Sequence, residues 1–332
     1  MNIKAITAGL SAAAMTFLIA TGAQAETVIR LSYELPVTHE FHQGAEMLAE
    51  LVRERTNGSV KVELYPAGQL STDANFPREI MAGTIDAGLS PTLYWTRVLP
   101  VAGIFDVPYL VRSHEEARQV LAGEVGRHLL DGLEEFDAVG LGYFNYGFGI
   151  FGATGKRLLE PADFAGLAMR TNNDIGAQLL QAFGASPTFM SGGEVYLGLS
   201  QGTIDGTHTG LSSMVSRSMD EVMKNVTVDN HNMIPYYVMV RKPVFDRLTP
   251  EEQAILREAV TEAGAWVAGM MEQADNEAIE VLRERGVTVD LLTPEQLSEW
   301  ADASRSVVDY WLNIVGDEGR ELITSVEQTL GR

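Results

Sequence analysis

The stretch GLAMRTNNDIGAQLLQAFGASP, residues 166–187, decides the fold. Apolar residues run into Arg170, the polar trio Thr171, Asn172 and Asn173 follows, and a helical pattern begins at Asp174. That is a short strand, a loop and a helix. It is the step of an open α/β sheet, in which ligands bind beyond the carboxyl ends of the strands. A buried charge at such a place must be partnered, since losing its partner costs on the order of 3–5 kcal/mol. Spacing alone leaves two readings of Arg170 open. It is either one half of a structural salt bridge, in a chain with 45 acidic residues, or a planar fork that grips a carboxylate or sulfonate bidentately.

The same rhythm extends to both sides. TVIRLSYELP (27–36) alternates and breaks at Pro36, which predicts the first strand with a loop after it. In the following segment Phe41, Ala45, Leu48, Ala49 and Val52 share one helical face, and Asn57-Gly58 stops the helix. VKVELYP is a second strand, and ANFPREIMAGTIDAGLSP reads as helix, Gly turn and buried strand. EVYLGLSQGTIDGTHTG repeats that pattern later on. The tetrapeptide Gly-Thr-Ile-Asp stands at 83–86 and again at 202–205, in matching context, which points to two similarly built lobes. The C-terminal third is helical. Thr249-Pro250 with Glu252 opens one long helix that ends at Gly286, and Thr293-Pro294 with Gln296 opens another through LTPEQLSEWADASRSVVDYWLNI.

The first 25 residues read as an address. One charge, Lys4, precedes an apolar run, and Ala23-Gln24-Ala25 is a small-x-small cleavage site, so a periplasmic mature chain is expected to begin at Glu26 with no membrane anchor. Loss of Lys4 takes the formal net charge from −21 to −22. So acidic a surface argues against nucleic acid or an anionic bilayer as partner. It leaves room for a small anion, because a positive group inside a cleft outweighs a distant, screened field. The absence of cysteine removes disulfides, thiol nucleophiles and Cys-based metal sites.

Catalytic and cofactor motifs are missing. GYFNYGFGIFGATGK lacks the Walker spacing, with Arg157 where Ser or Thr belongs, and GASPTFMSGG is not a nucleophile elbow. His39 and His42 share a helical face but have no evident third ligand nearby. His208, between threonines, and His231, between asparagines, read as hydrogen-bonding loop residues. No cofactor, metal or catalytic residue is expected. The aromatic segments SPTLYWTRVLP and FNYGFGIF read first as packing, with Tyr94, Trp95, Tyr146 and Phe148 retained as cleft candidates because they follow strands.

Several elements together carry a resemblance: HEFHQGAEMLAELVRERTNGSVKVELYPAGQL, AGTIDAGLSPT, IFDVPYLV, FAGLAMRT, AFGASPTFM, GEVYLGLSQGTIDG and LTPEEQAILREA. Over nearly the whole mature chain the sequence resembles the periplasmic solute-binding proteins of tripartite ATP-independent periplasmic (TRAP) transporters, the DctP-like family. The resemblance implies an α/β, two-lobed periplasmic binding protein fold, with a ligand cleft between the lobes, crossing strands and a long C-terminal helix. It implies capture of a small organic anion by cleft closure and delivery to a small and a large membrane subunit. The matching division is 1–25 signal peptide, 26–147 first lobe with a return segment at about 236–280, 148–235 second lobe, and 281–332 a helical segment packed on the lobes. By position in the GLKIR-type strand, Arg170 is the arginine that pairs with the ligand's acid.

Three departures reshape the expected pocket. Phe148-Gly149 stands where an aromatic-arginine pair is common, so the second arginine is missing; Ser191 and Gly192 replace a proline and an aromatic; and Thr209 replaces an asparagine that often touches ligand. The expected ligand contacts are Arg170, Asn172, His208 and Thr209, with Tyr33, Tyr94, Phe148, Tyr196 and Tyr236 as walls. Glu34, with Tyr33 and His39, would favour a zwitterionic or amino-bearing ligand if it faces the cleft. Service to an ATP-driven transporter or a sensor is the alternative on the same fold. A secreted enzyme would need converging catalytic groups, of which the sequence gives no sign.

Overall fold

The two Gly-Thr-Ile-Asp copies build the same device twice. In each, the glycine takes a left-handed conformation, with φ of 75° at Gly83 and 68° at Gly202. The aspartate then accepts a backbone N–H of the adjacent strand: Arg30 N to Asp86 Oδ2 at 3.2 Å, and Ala168 N to Asp205 Oδ2 at 2.8 Å. Each copy thereby pins one parallel strand beside another.

The computed structural model describes residues 26–332; the signal-peptide reading of 1–25 lies outside them. The strands are β1 (Thr27–Ser32), β2 (Val60–Tyr65), β3 (Ala87–Pro91), β4 (Ala138–Ala153), β5 (Ala168–Thr171), β6 (Ser186–Phe189), β7 (Gly206–Thr209), β8 (Asn225–Arg241) and β9 (Thr288–Leu291). They form one sheet in the order β2-β1-β3-β8-β4-β7-β5-β6, with β9 paired to β8. The order reads alike from both ends. β2-β1-β3 and β6-β5-β7 are parallel trios, each joined antiparallel to one of two long strands, β8 and β4, which pair antiparallel with each other. These are the two lobes and the crossing strands of a two-lobed α/β binding-protein fold. The β4–β8 ladder shifts register between Asn145 and Phe148, next to Gly147 with φ of 100°.

β4 and β8, 16 and 17 residues long, were not legible as strands in advance. They pass from one lobe to the other and are buried on both faces over much of their length, so they lack the period-2 alternation that marks a half-exposed strand. The packing expected of FNYGFGIF follows from this, with Phe144, Phe148, Ile150 and Phe151 all buried.

Helices cover the sheet. Glu40–Arg55 buries Phe41, Ala45, Leu48 and Val52. The helix Pro250–Glu284 starts on the full capping box of Thr249 and Glu252 and spans about 52 Å at 1.5 Å per residue. Its first half packs Val260, Ala263 and Val267 into the core of the first lobe, and its last turns put Ala278 and Leu282 into that of the second. The helix expected from Pro294 through Ile314 is two helices, Pro294–Ala303 and Arg305–Val315. At Ser304 the hydroxyl bonds back to Ala301 O at 2.8 Å and the chain turns. Trp300 and Trp311, on either side of that turn, are both buried. Among the described residues no helix is long and apolar enough to cross a membrane.

Candidate ligand-binding cleft

Both parallel trios present the carboxyl ends of their strands to the space between the lobes, where open α/β sheets bind ligands. Arg170 is the third residue of β5, in register with Thr188 on β6 and Thr207 on β7. It is 5% exposed. Its Nε donates to Met190 O at 2.9 Å, Nη1 to His208 O at 3.2 Å, and Nη2 to the Tyr94 hydroxyl at 3.1 Å. Among the described residues no carboxylate lies within 4.0 Å of it. The salt-bridge reading left open by the sequence therefore finds no acid. Three of five N–H groups are used, and each Nη keeps one for a further acceptor.

The inner cavity beside Arg170 is narrow, about 40 Å³; it shares Leu93, Tyr94 and Asn172 with an outer recess of about 630 Å³, which is within the range of small-molecule sites. Tyr94, Asn172, His208, Thr209 and Tyr236, five of the side chains singled out from the sequence, line the inner cavity. Tyr94 sits in the turn after β3, on the opposite lobe from Arg170. Burial pushes its hydroxyl well above the usual range, so it stays protonated; it accepts from Arg170 and has its own proton left to give. Asn172 Oδ1 lies 3.0 Å from His208 Nε2, which makes Nε2 the donor and leaves Nδ1 as an unpartnered acceptor. Burial first, and then the Arg170 charge, hold His208 well below its ordinary pKa and therefore neutral. It sits on β7, and His231 on β8, so neither is a loop residue; His231 is buried with Nδ1 at 2.9 Å from Asp229 Oδ2.

Glu34 reaches the outer recess of the cleft but is already engaged. Its carboxylate accepts from Ser191 Oγ at 2.8 and 2.9 Å, from Gly193 N at 2.5 Å and from Asp73 N at 2.7 Å. Ser191 and Gly193 belong to the other lobe, so this is a clasp across the cleft. Arg97 adds a second crossing at the rim, 3.4 Å from Asp174 and stacked at 5.8 Å over Phe189.

The other expected contacts lie elsewhere. The Tyr33 ring is in the core, with its hydroxyl 2.6 Å from His42 Nδ1. His39 is the N-cap of Glu40–Arg55, accepting from Phe41 N at 3.2 Å, with Nε2 on Ser212 Oγ at 3.3 Å. Burial and then Arg217 push it down to about 3. The two histidines are thus spent on separate bonds rather than facing one metal. Phe148 packs edge-on against His114 at 5.4 Å, away from the cavity. Tyr196 is on the surface, donating to Glu221 Oε2 at 2.7 Å. Of the four only Tyr33 follows a strand end, and there the core side took it; His39 caps a helix, Phe148 lies within β4, and Tyr196 lies in the helix Val195–Ser200.

Arg217 and Asp73 also border the inner cavity, and sequence reasoning passed over both. Arg217 is the C-cap of the short helix Leu211–Ser216, and Asp73 lies in the loop before the helix Phe76–Ala82. The only advance signal was an isolated arginine in the serine-rich run LSSMVSRSM soon after the second Gly-Thr-Ile-Asp.

A two-lobed α/β fold with a cleft between the lobes, and at its base a buried arginine with no ion pair within 4.0 Å among the described residues, is the architecture of a solute-binding protein. The chain belongs to the bacterial extracellular solute-binding protein family 7, DctP, whose family model matches residues 31–313. It is 32% identical to the C4-dicarboxylate-binding periplasmic protein of Rhodobacter capsulatus, over 93% of this chain and 94% of that one. It is 30% identical to the 2,3-diketo-L-gulonate-binding periplasmic protein of Escherichia coli, over 99% of both. Among solved structures, the TRAP periplasmic solute-binding protein of Desulfovibrio salexigens with bound orotic acid superposes with a TM-score of 0.88 at 26% identity, covering 92% of this chain and 99% of that one. Its relatives in this family are periplasmic solute-binding proteins rather than enzymes.

Proposed function

We propose that this protein captures a small organic acid in the periplasm by closing its cleft, and delivers the acid to the small and large membrane subunits of a TRAP transporter. The carrying observation is Arg170, buried, held by two carbonyls and a phenol, with no carboxylate within 4.0 Å among the described residues. Its two remaining Nη protons match a carboxylate's two oxygens. Tyr94 donates from the opposite lobe, so an acid on Arg170 touches both lobes and favours the closed state over the open one. The lobes are 26–147 with the return segment 236–280, and 148–235, and they rotate about the register shift near Gly147. The C-terminal helices travel with the lobes on which they pack, and the mature chain begins at Glu26.

A zwitterionic or amino-bearing ligand is the weaker reading on this geometry. The acid that prompted it, Glu34, has both oxygens occupied by Ser191, Gly193 and Asp73. The test is mass spectrometry of what purified protein releases on denaturation, joined to a thermal-shift screen of small organic acids. We expect a carboxylic acid in the first and raised melting temperatures in the second. Release of a cation, or stabilisation by amines alone, would sink the reading.

A further inference from the structure

β4 and the helix Pro250–Glu284 both pass from lobe to lobe, and they touch at one acid. On the helix, Asp275 stands between Met271, which packs into the core of the first lobe, and Ala278, which packs into that of the second. On β4 the register shift falls between Asn145 and Phe148, around Gly147 with its φ of 100°. A Cβ on Gly147 would lie 2.6 Å from Asp275 Oδ2, so the carboxylate rests against bare backbone where β4 changes register. Its two oxygens reach toward the two lobes as divided above. Oδ2 lies 3.4 Å from Nε2 of His114, the first residue of the helix His114–Ala122. Oδ1 accepts from Ser212 N at 3.4 Å, in the helix Leu211–Ser216. The side chains of His114 and Asp275 are 16% and 13% exposed. His114 Nδ1 and Asn145 Nδ2 are buried without partners. Burial pushes the Asp275 carboxyl above its usual value, and His114 draws it back. Neither the Arg170 anchor nor the Glu34 clasp uses any of these groups.

We infer that His114 and Asp275 are a positioning pair at the hinge, and that they make closure of the cleft depend on pH, with the closed state favoured when His114 carries a proton. This rests on the closing cleft of the proposed function, and on no particular ligand. Closure sets the Ser212 end of the second lobe on Asp275 and shuts water away from its carboxylate. A carboxylate enclosed in this way needs a positive partner. The other charges around the pair supply none. Glu40, in the helix Glu40–Arg55, is a like charge beside Asp275, with Glu277 behind it. Glu272 acts on His114 from the same long helix as Asp275, but it is already bonded to Arg118 at 2.7 Å. Arg118 is held in turn by Glu115 at 2.9 Å, on the helix of His114 itself. His114 is left to supply the charge, and histidine is the side chain that gains or loses it between pH 5 and pH 8. If closing takes up this proton, falling pH shifts the equilibrium toward the closed state, and rising pH releases it.

The test uses the absence of native cysteine. A dye pair is placed on Glu54→Cys and Leu197→Cys, one exposed site on each lobe, and single-molecule energy transfer reads the closed-to-open ratio of ligand-stripped protein. From pH 8 to pH 6 the ratio should rise about three- to tenfold. His114→Gln should keep the low ratio at both pH values. His114→Lys, charged at both, should keep the high one, an opposite pair of effects that a packing role would not give. Asp275→Asn should flatten the dependence as well. Circular dichroism melts confirm that each variant is folded, and if Asp275→Asn is not, the two His114 variants decide alone. A wild-type ratio that changes by less than about twofold overturns the inference. So does a pH dependence that survives in His114→Gln, or an equal ratio in His114→Gln and His114→Lys. No acid is added, so a failure of Arg170 as the acid anchor would leave these outcomes unchanged and would show only in the ligand screen.

Discussion

Arg170 shows how a single residue is read differently in sequence and in structure. Its place at the end of a β-strand could be seen in residues 166–171, but its partners could not, because Met190 O, His208 O and the Tyr94 hydroxyl come from three separate segments. Arg217 and Asp73 escaped for the same reason: a helix end and a loop carry no periodicity that places a side chain in a cleft. Glu34 was visible as an acid after the first strand but not as a clasp, since Ser191 and Gly193 lie more than 150 residues away. The clasp exists only when the lobes meet, so it biases the equilibrium toward closure. Glu34→Ala should weaken ligand binding by about tenfold or more, through loss of charge-assisted bonds in the closed state alone. Stopped-flow titration should show the loss mainly as faster ligand release.

Elements were most legible where one face is wet. The helix Glu40–Arg55, the turns at Gly83 and Gly202 and the capping box at Thr249 all carry local signals that survive tertiary packing. β4 and β8 carry none, because both of their faces are covered, and the break at Ser304 depends on two tryptophans finding the core. Packing between elements is close in β3. A Cβ on Gly88 would lie 2.1 Å from the Phe76 ring and 2.8 Å from Ser32 O. Gly88→Ala should therefore destabilise by about 1–3 kcal/mol in urea unfolding. Asp106 joins three segments, accepting from Asn173 Nδ2 at 2.7 Å and Asn232 Nδ2 at 2.8 Å. Burial raises it from 3.8 to about 6 despite those bonds. Folding then favours the protonated acid, so stability is highest below the unfolded value and falls as pH rises through about 6. Wild type should gain on the order of 1–3 kcal/mol from this group between pH 7 and pH 4. Asp106→Asn should lack that part of the slope, read from chemical unfolding across pH.

At the scale of the whole molecule, the palindromic strand order joins two copies of one parallel trio through two long antiparallel strands. The duplicated Gly-Thr-Ile-Asp was the one trace of that symmetry in the sequence, and it marks the aspartates that tie each trio together. The register shift near Gly147 is where we propose that one lobe rotates as a unit. Small-angle scattering should show a smaller radius of gyration on adding the cognate acid, and Glu34→Ala should need more acid to reach it. The interior of the cleft gathers two arginines and one free aspartate within a chain of net charge −21. The acid anchor is the part on which the rest depends. Calorimetric titration of the tightest-binding acid into wild type and Arg170→Gln tests it most directly. The account predicts affinity at least about a hundredfold lower in the variant, shown folded by circular dichroism and a cooperative melt in the absence of ligand. An affinity within about threefold of wild type, on a folded variant, contradicts it.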